Sequence, residues 1–182
     1  IYEIDTVAPE INSLNGTYLD TQLNGLEKDL LKYSPDEVVE IKVNFSEPVY
    51  VTGTPLLELE TGLTDRNALY SSGSGSTTLT FVYTVKDGDS NSNLDYTSTS
   101  ALSLNGGTIQ DDHGNNATLT LPNVGSSYSL SGLSTIVIDS TTPTLSSSTP
   151  ANDATGVSLN NDIVLNFSEP IYINLWDDDF VD

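Results

Sequence analysis

The side chains of this chain that could do chemistry are almost all oxygen donors. Residues 87–95 read DGDSNSNLD, which sets Asp87, Asp89, Asn91, Asn93 and Asp95 at alternate positions. Carboxylate and amide oxygens at that spacing suit a hard cation such as calcium, which takes about 6–8 oxygen ligands. The segment is no EF-hand: its Gly is misplaced, no Glu closes the loop, and its flanks read as strands. A plain solvated turn rich in Asp and Asn is the competing reading. A second group joins Asp111, Asp112 and Asn115 of QDDHGNNA to Glu47 and to Asp5 and Asp139, which lie at the ends of a repeated unit. If loops converge at one end of a sandwich, calcium there would neutralise mutually repelling carboxylates and stiffen a linker between modules. For Glu47 and for Glu169, its counterpart in the repeat, the competing reading is a carboxylate capping backbone N–H groups at a strand end.

Catalysis finds little material. His113 is the single histidine, there is no Cys to pair with it, and it reads as a residue of a Gly-Asn surface loop. Arg66 is the sole guanidinium, so no arginine cluster can clamp an anion. Paired carboxylates are plentiful among 26 acids, yet no aromatic sugar platform or site-forming insertion accompanies them. Tyr70, Tyr83 and Tyr96 are expected at strand edges with their hydroxyls in water. Lys42 falls on the outward face of its strand, which disfavours a buried Lys–Asn isopeptide bond. The sequons at Asn15, Asn44, Asn116 and Asn166 are expected by chance at this Asn, Ser and Thr content.

The balance of 26 acidic against 5 basic residues, a net charge of −21, repels nucleic acid and anionic lipid alike. No apolar run reaches the roughly 18 residues that cross a bilayer. Cys is absent, so disulfides and thiolate metal sites are excluded. Met is absent even at position 1, so the chain is expected to be a processed or excerpted segment.

The elements that must position these groups are short strands. In 38–46, Val39, Ile41, Val43 and Phe45 alternate with Glu40, Lys42, Asn44 and Ser46, the period of a half-buried strand. Pro48 removes a ladder donor after Glu47, so the strand is expected to bend there before VYVTG resumes it. Further strands are expected at 55–60, 67–72, 77–85, 101–104, 117–121 and 133–138, with GSGS (73–76) as a hairpin loop. Only 23–33 reads as a short helix, an insertion at about 20–33.

The chain also repeats itself. VNFSEPVYV (43–51) returns as LNFSEPIYI (165–173), an offset of 122, and IDTVAP (4–9) returns as IDSTTP (138–143), an offset of 134. The landmarks keep their order, so two copies of one module are present, the first with about 12 extra residues between them. The expected fold is an all-β, Ig-like antiparallel β-sandwich over 1–139, followed at 140–182 by the first strands of a second, incomplete module.

The phrases DTVAP, VVEIKVNFSEPV, YSSGSGSTTLTFVYTV, GDSNSNLDY, STSALSLNGGTIQDDHGNNATLTLP and the closing IVID together resemble the tandem bacterial immunoglobulin-like repeats of large secreted surface proteins and adhesins. TPTLSSSTPANDATGVSLNNDIVLNFSEPI resembles the opening of the Ig-like module of surface-layer proteins. The resemblance implies the fold and an extracellular setting but no single activity; taken with the acidic loops, the expected role is a non-enzymatic structural or adhesive module of a repetitive bacterial surface protein, stiffened by calcium, whose partners are neighbouring Ig-like modules or identical subunits. Two other readings stay open. One is a fibre subunit whose incomplete second module accepts a neighbour's strand, burying Trp176 beside Ile171, Ile173 and Leu175. The other is a ligand-binding head, for glycan, ice or a host protein, or the accessory domain of a polysaccharide-active enzyme.

Overall fold

The computed structural model describes residues 5–17 and 31–171 and divides into two units, Ile1–Ser140 and Thr141–Asp182. The first unit contains β1 (Ile11–Thr17), β2 (Leu31–Tyr33), β3 (Val38–Thr52), β4 (Leu56–Leu59), β5 (Arg66–Ser72), β6 (Ser76–Thr84), β7 (Ser90–Asn91), β8 (Leu102–Ser103), β9 (Thr108–Gln110), the single turn α1 (Leu130–Leu133) and β10 (Ile136–Asp139). One sheet runs β1-β3-β6-β5-β4-β8 with β9 also on β3, and a second runs β2-β10-β7. Inward side chains of both, among them Ile41, Phe81 and Leu57 from the first and Ile136 and Ile138 from the second, form one buried core. The chain is all-β and Ig-like in architecture, with one departure from the antiparallel expectation: β10 pairs with β2 in parallel, Ile136 opposite Leu31.

β3 organises the unit. Its alternation puts Val39, Ile41, Val43 and Phe45 in the core, and it pairs with β6 through Val39↔Tyr83, Ile41↔Phe81 and Val43↔Leu79. The Glu47–Pro48 step does interrupt this ladder, which slips between Asn44 and Val49. The chain nevertheless continues as one bent strand whose far end pairs with β9, Val51 opposite Ile109. The slip works as a bulge that hands β3 to a new partner.

Some elements differ from expectation. Residues 117–121 carry no strand; they are tied singly, as where the Thr118 N–H donates to the Pro9 carbonyl (2.8 Å). Of the expected helix at 23–33, residues 23–30 lie outside the described residues, and 31–33 are strand β2. The described helix is α1 instead, capped by the Ser129 hydroxyl accepting from the Gly132 N–H (3.2 Å). The β5–β6 hairpin turns at Gly73, where φ is +106° and a Cβ would meet the Thr78 carbonyl oxygen. Gly73→Ala is therefore expected to cost about 1–3 kcal/mol, measured as a loss in urea unfolding free energy.

In the second unit β11 (Leu145–Thr149) pairs antiparallel with β12 (Val164–Phe167). This pair reproduces β1 and β3 rung by rung. Ile11↔Phe45, Ser13↔Asn44 and Leu14↔Val43 become Leu145↔Phe167, Ser147↔Asn166 and Ser148↔Leu165, with the same irregularity after the first rung. The side-chain bonds recur too. Asn44 Nδ2 donates to Ser13 Oγ (3.2 Å) and Asn166 Nδ2 to Ser147 Oγ (3.0 Å). Ser46 Oγ accepts from the Glu10 N–H (3.0 Å) while its own N–H donates to the Glu10 carbonyl (2.8 Å). Ser168 makes the same reciprocal pair with Thr144, at 3.0 Å and 2.8 Å. The Asn and Ser of NFSEP are thus the residues that fasten the opening strand of each copy. Trp176, Ile173 and Leu175 lie outside the described residues.

Candidate functional site

The bulge of β3 presents Glu47 beside the loop that leaves β9. That loop closes where Gln110 Nε2 donates to Asn116 Oδ1 (2.9 Å), and Asp111 organises its interior. Asp111 Oδ1 accepts the N–H groups of His113 (2.8 Å) and Asn115 (2.8 Å), and Oδ2 accepts Asn115 Nδ2 (2.6 Å). Burial alone would raise the Asp111 pKa, but these donors outweigh it and hold the carboxyl below its ordinary range. Asn115 also donates to the Asp5 carbonyl (3.2 Å), tying the N-terminal segment to the loop.

His113 completes the cluster. Its Nδ1 lies 2.6 Å from Asp112 Oδ1 and 4.0 Å from Asp5 Oδ2. Asp5, Asp111 and His113 each bring a ligand atom within 4.8 Å of the others. Glu47 feels the crowding: its carboxyl is pushed up, first by burial and then by the charges of Asp5, Asp111 and Asp112, with His113 pulling the other way. The two shifts have opposite consequences. Stability held by Asp111 is present above the ordinary carboxyl range and lost as pH falls through its lowered pKa. The Glu47 contribution is fully present below that range and lost as pH rises through the raised pKa. Asp111→Asn should accordingly flatten the acid limb of urea-unfolding stability plotted against pH.

The structure therefore gathers Asp5, Glu47, Asp111, Asp112 and Asn115, and leaves Asp139 elsewhere. Asp139 Oδ2 lies 2.7 Å from Lys32 Nζ, and β10 pairs there with β7 through Asp139↔Ser90. Its neighbourhood includes the 86–89 turn, where the Ser140 N–H donates to the Asp89 carbonyl (3.3 Å). That turn follows the end of β6 that pairs with Val38, so it lies about 30 Å along β3 from Glu47.

The alternating acids of 87–95 do not form one ligand set. Asp89 is buried, its Oδ1 paired with Arg66 Nε (2.9 Å) and its Oδ2 accepting the Tyr83 hydroxyl (2.6 Å) and the Lys86 N–H (3.0 Å). Asp95 accepts the Tyr96 N–H (3.0 Å) on one oxygen, and the Gly125 N–H (3.0 Å) and Ser131 hydroxyl (2.6 Å) on the other. Asn91 donates to the Glu60 carbonyl (2.6 Å), and Asp87 is exposed at the loop tip. These oxygens hold loops in place. Tyr83 and Tyr96 are not wet edge residues either: both are buried, and the Tyr96 hydroxyl donates to the Pro122 carbonyl (2.6 Å). His113 is the participant the sequence reading passed over. Its position next to Asp111-Asp112 was the available signal.

The carboxylates drawn to this loop, Asp5 and Asp111 with ligand atoms within 4.8 Å of each other and Glu47 and Asp112 near enough for their charges to interact, are donors of the kind a hard divalent cation takes. The His113 imidazole nitrogen, 2.6 Å from Asp112 Oδ1, is a poorer match to calcium, which takes oxygen ligands.

The sequence profile of a family described as bacterial Ig-like domain matches residues 139–181. No curated protein and no solved structure matches the chain.

Proposed function

We propose that this chain is a non-catalytic structural module of a repetitive bacterial surface protein, exposed outside the cell, in which calcium at the Asp5–Glu47–Asp112 cluster stiffens one end of the sandwich. The observation that carries the reading is the duplicated strand pair. The segment matched as a bacterial Ig-like domain opens with the same register and the same Asn–Ser and Ser–backbone bonds as the first unit. A chain that spends two copies on one scaffold, and most of its buried carboxylates on bracing loops, is organised to hold shape. Among the described residues no helix is long and apolar enough to cross a membrane. In the cluster, Asp111 orders the loop while Asp5, Glu47 and Asp112 supply oxygen donors.

The test is thermal unfolding in millimolar calcium against EDTA at constant ionic strength. A ligand bound by the folded state alone stabilises by about 2.7 kcal/mol at one hundred times Kd, so the melting temperature should rise, and magnesium should substitute poorly. Glu47→Gln gives a crossed signature. It relieves repulsion and should raise the melting temperature in EDTA, yet shrink the gain from calcium. Equal melting temperatures with and without calcium would overturn the calcium assignment.

A further inference from the structure

The ladder between β5 and β6 stops short of the strands themselves. It runs from Ser72↔Thr80 to Leu69↔Val82 and no further, although β5 continues on its other edge to Leu59↔Arg66 and β6 to Val38↔Thr84. The strands part there, and a groove of about 460 Å³ opens, within the roughly 300–1,000 Å³ of small-molecule sites. Arg66, Asn67 and Leu69 line it from β5, and Val82, Thr84 and Lys86 from β6 and the turn after it.

The chain has a net charge of −21 and five basic residues, and two of the five meet here. One buried carboxylate holds both: Asp89 accepts Arg66 Nε on Oδ1 (2.9 Å) and the Lys86 N–H on Oδ2 (3.0 Å). Nε–H is one of five guanidinium donors. Among the described residues the other four have no hydrogen-bond partner, and the Arg66 side chain is 35% exposed. Lys86 Nζ has a 4.0 Å contact with Asp36, itself 92% exposed, a pair that water screens. Guanidinium donors fixed by a buried ion pair and left unpaired match a carboxylate, which arginine takes through two parallel N–H bonds.

The rest of the lining fits what carries that carboxylate. Leu69, 51% exposed, and Val82 opposite it form an apolar patch, while Asn67 and Thr84 offer amide and hydroxyl partners. A sugar ring presents both surfaces, a C–H face and a hydroxyl edge. A polyanion is repelled by the net charge and by the exposed Asp36, Asp65 and Asp87, and a second copy of this acidic chain meets the same repulsion.

We infer that the β5–β6 groove binds a sugar bearing one carboxylate, part of an otherwise neutral glycan, with Arg66 and Lys86 on the carboxylate and the ring against Leu69 and Val82. A recognition site there goes beyond a scaffold role and does not depend on the calcium cluster.

The test is amide chemical-shift titration of the full chain with methyl glucuronide, methyl glucoside and acetate at constant ionic strength. Methyl glucuronide should shift the amides of 66–71 and 82–86 saturably. The glucoside, which lacks the carboxylate, and acetate, which lacks the ring, should each bind about tenfold or more weakly. Leu69→Asp places a like charge in the groove at an exposed position and should weaken glucuronide binding by about the same factor, with an intact melting transition reporting that it folds. Arg66→Lys keeps a charge beside Asp89 but loses the planar fork, and should weaken binding as well. Absence of saturable shifts, equal affinity for the glucoside or for acetate, undiminished affinity in Leu69→Asp, or shifts of these amides with protein concentration alone would each overturn the inference.

Discussion

Phe45→Ala should destabilise the first unit by about 3–5 kcal/mol, the cost of emptying a large aromatic site in a packed core, while Lys42→Ala should change stability by about 0.5 kcal/mol or less. The two residues are three apart on one strand and differ in the face they take. Phe45 is 3% exposed and continues the inward row of Val39, Ile41 and Val43. Lys42 faces out among half-buried polar neighbours. The register with β6 and β1 forces this, because side chains alternate and a slip of one residue would exchange the faces. Urea unfolding of the two variants decides it. Equal losses would show that the register of β3 is wrong.

The second large effect is expected at Asp89, whose carboxylate is buried and shared by Arg66, Tyr83 and the Lys86 N–H. Arg66→Met removes the compensating charge and should cost about 3 kcal/mol, because a buried carboxylate then keeps its desolvation penalty without its partner. Tyr83→Phe removes one bond to a charged acceptor and should cost about 1.5–3 kcal/mol. The triple variant Arg66→Met, Tyr83→Phe, Asp89→Leu should lose less than the sum of the single losses, since an apolar set in the same space leaves neither a charge nor the Tyr83 hydroxyl orphaned. Additive losses in that cycle would contradict the account. The same contacts act on alkaline stability. Burial, then the hydrogen bond and charge of Asp89, push the Tyr83 hydroxyl far above its ordinary range. Burial, then the charge of Asp95, does the same at Tyr96. Both groups ionise more readily unfolded, so stability present at neutral pH should fall as pH rises past about 10, less steeply in Tyr83→Phe.

What the sequence revealed followed from local pattern. β3 and β6 were legible because five or more residues alternate against a buried face, and the Glu-Pro break was legible because Pro lacks a donor. β7, β8 and β9 are two or three residues long, too short to show a period. The parallel β2–β10 pairing joins residues about a hundred positions apart, which no local signal encodes. The acidic loops show the same division. The convergence of Asp5, Glu47, Asp111 and Asp112 follows from loops sharing one end of a sandwich. The spacing of 87–95 misled because alternation shows which oxygens are present and not which donors reach them first. Arg66 and Tyr83 claim Asp89, and Gly125 and Ser131 claim Asp95; all but Tyr83 reach in from strands and loops more than twenty residues away.

The central claim is that the first unit is one cooperative module built to hold its shape, and force measures this most directly. The full chain is held by its ends and stretched as a single molecule in the presence of calcium. The account predicts one all-or-none rupture for residues 5–140, lengthening the chain by roughly 400–450 Å at about 3.5 Å per residue, at a force that drops in EDTA. Gradual lengthening without a rupture step would contradict it.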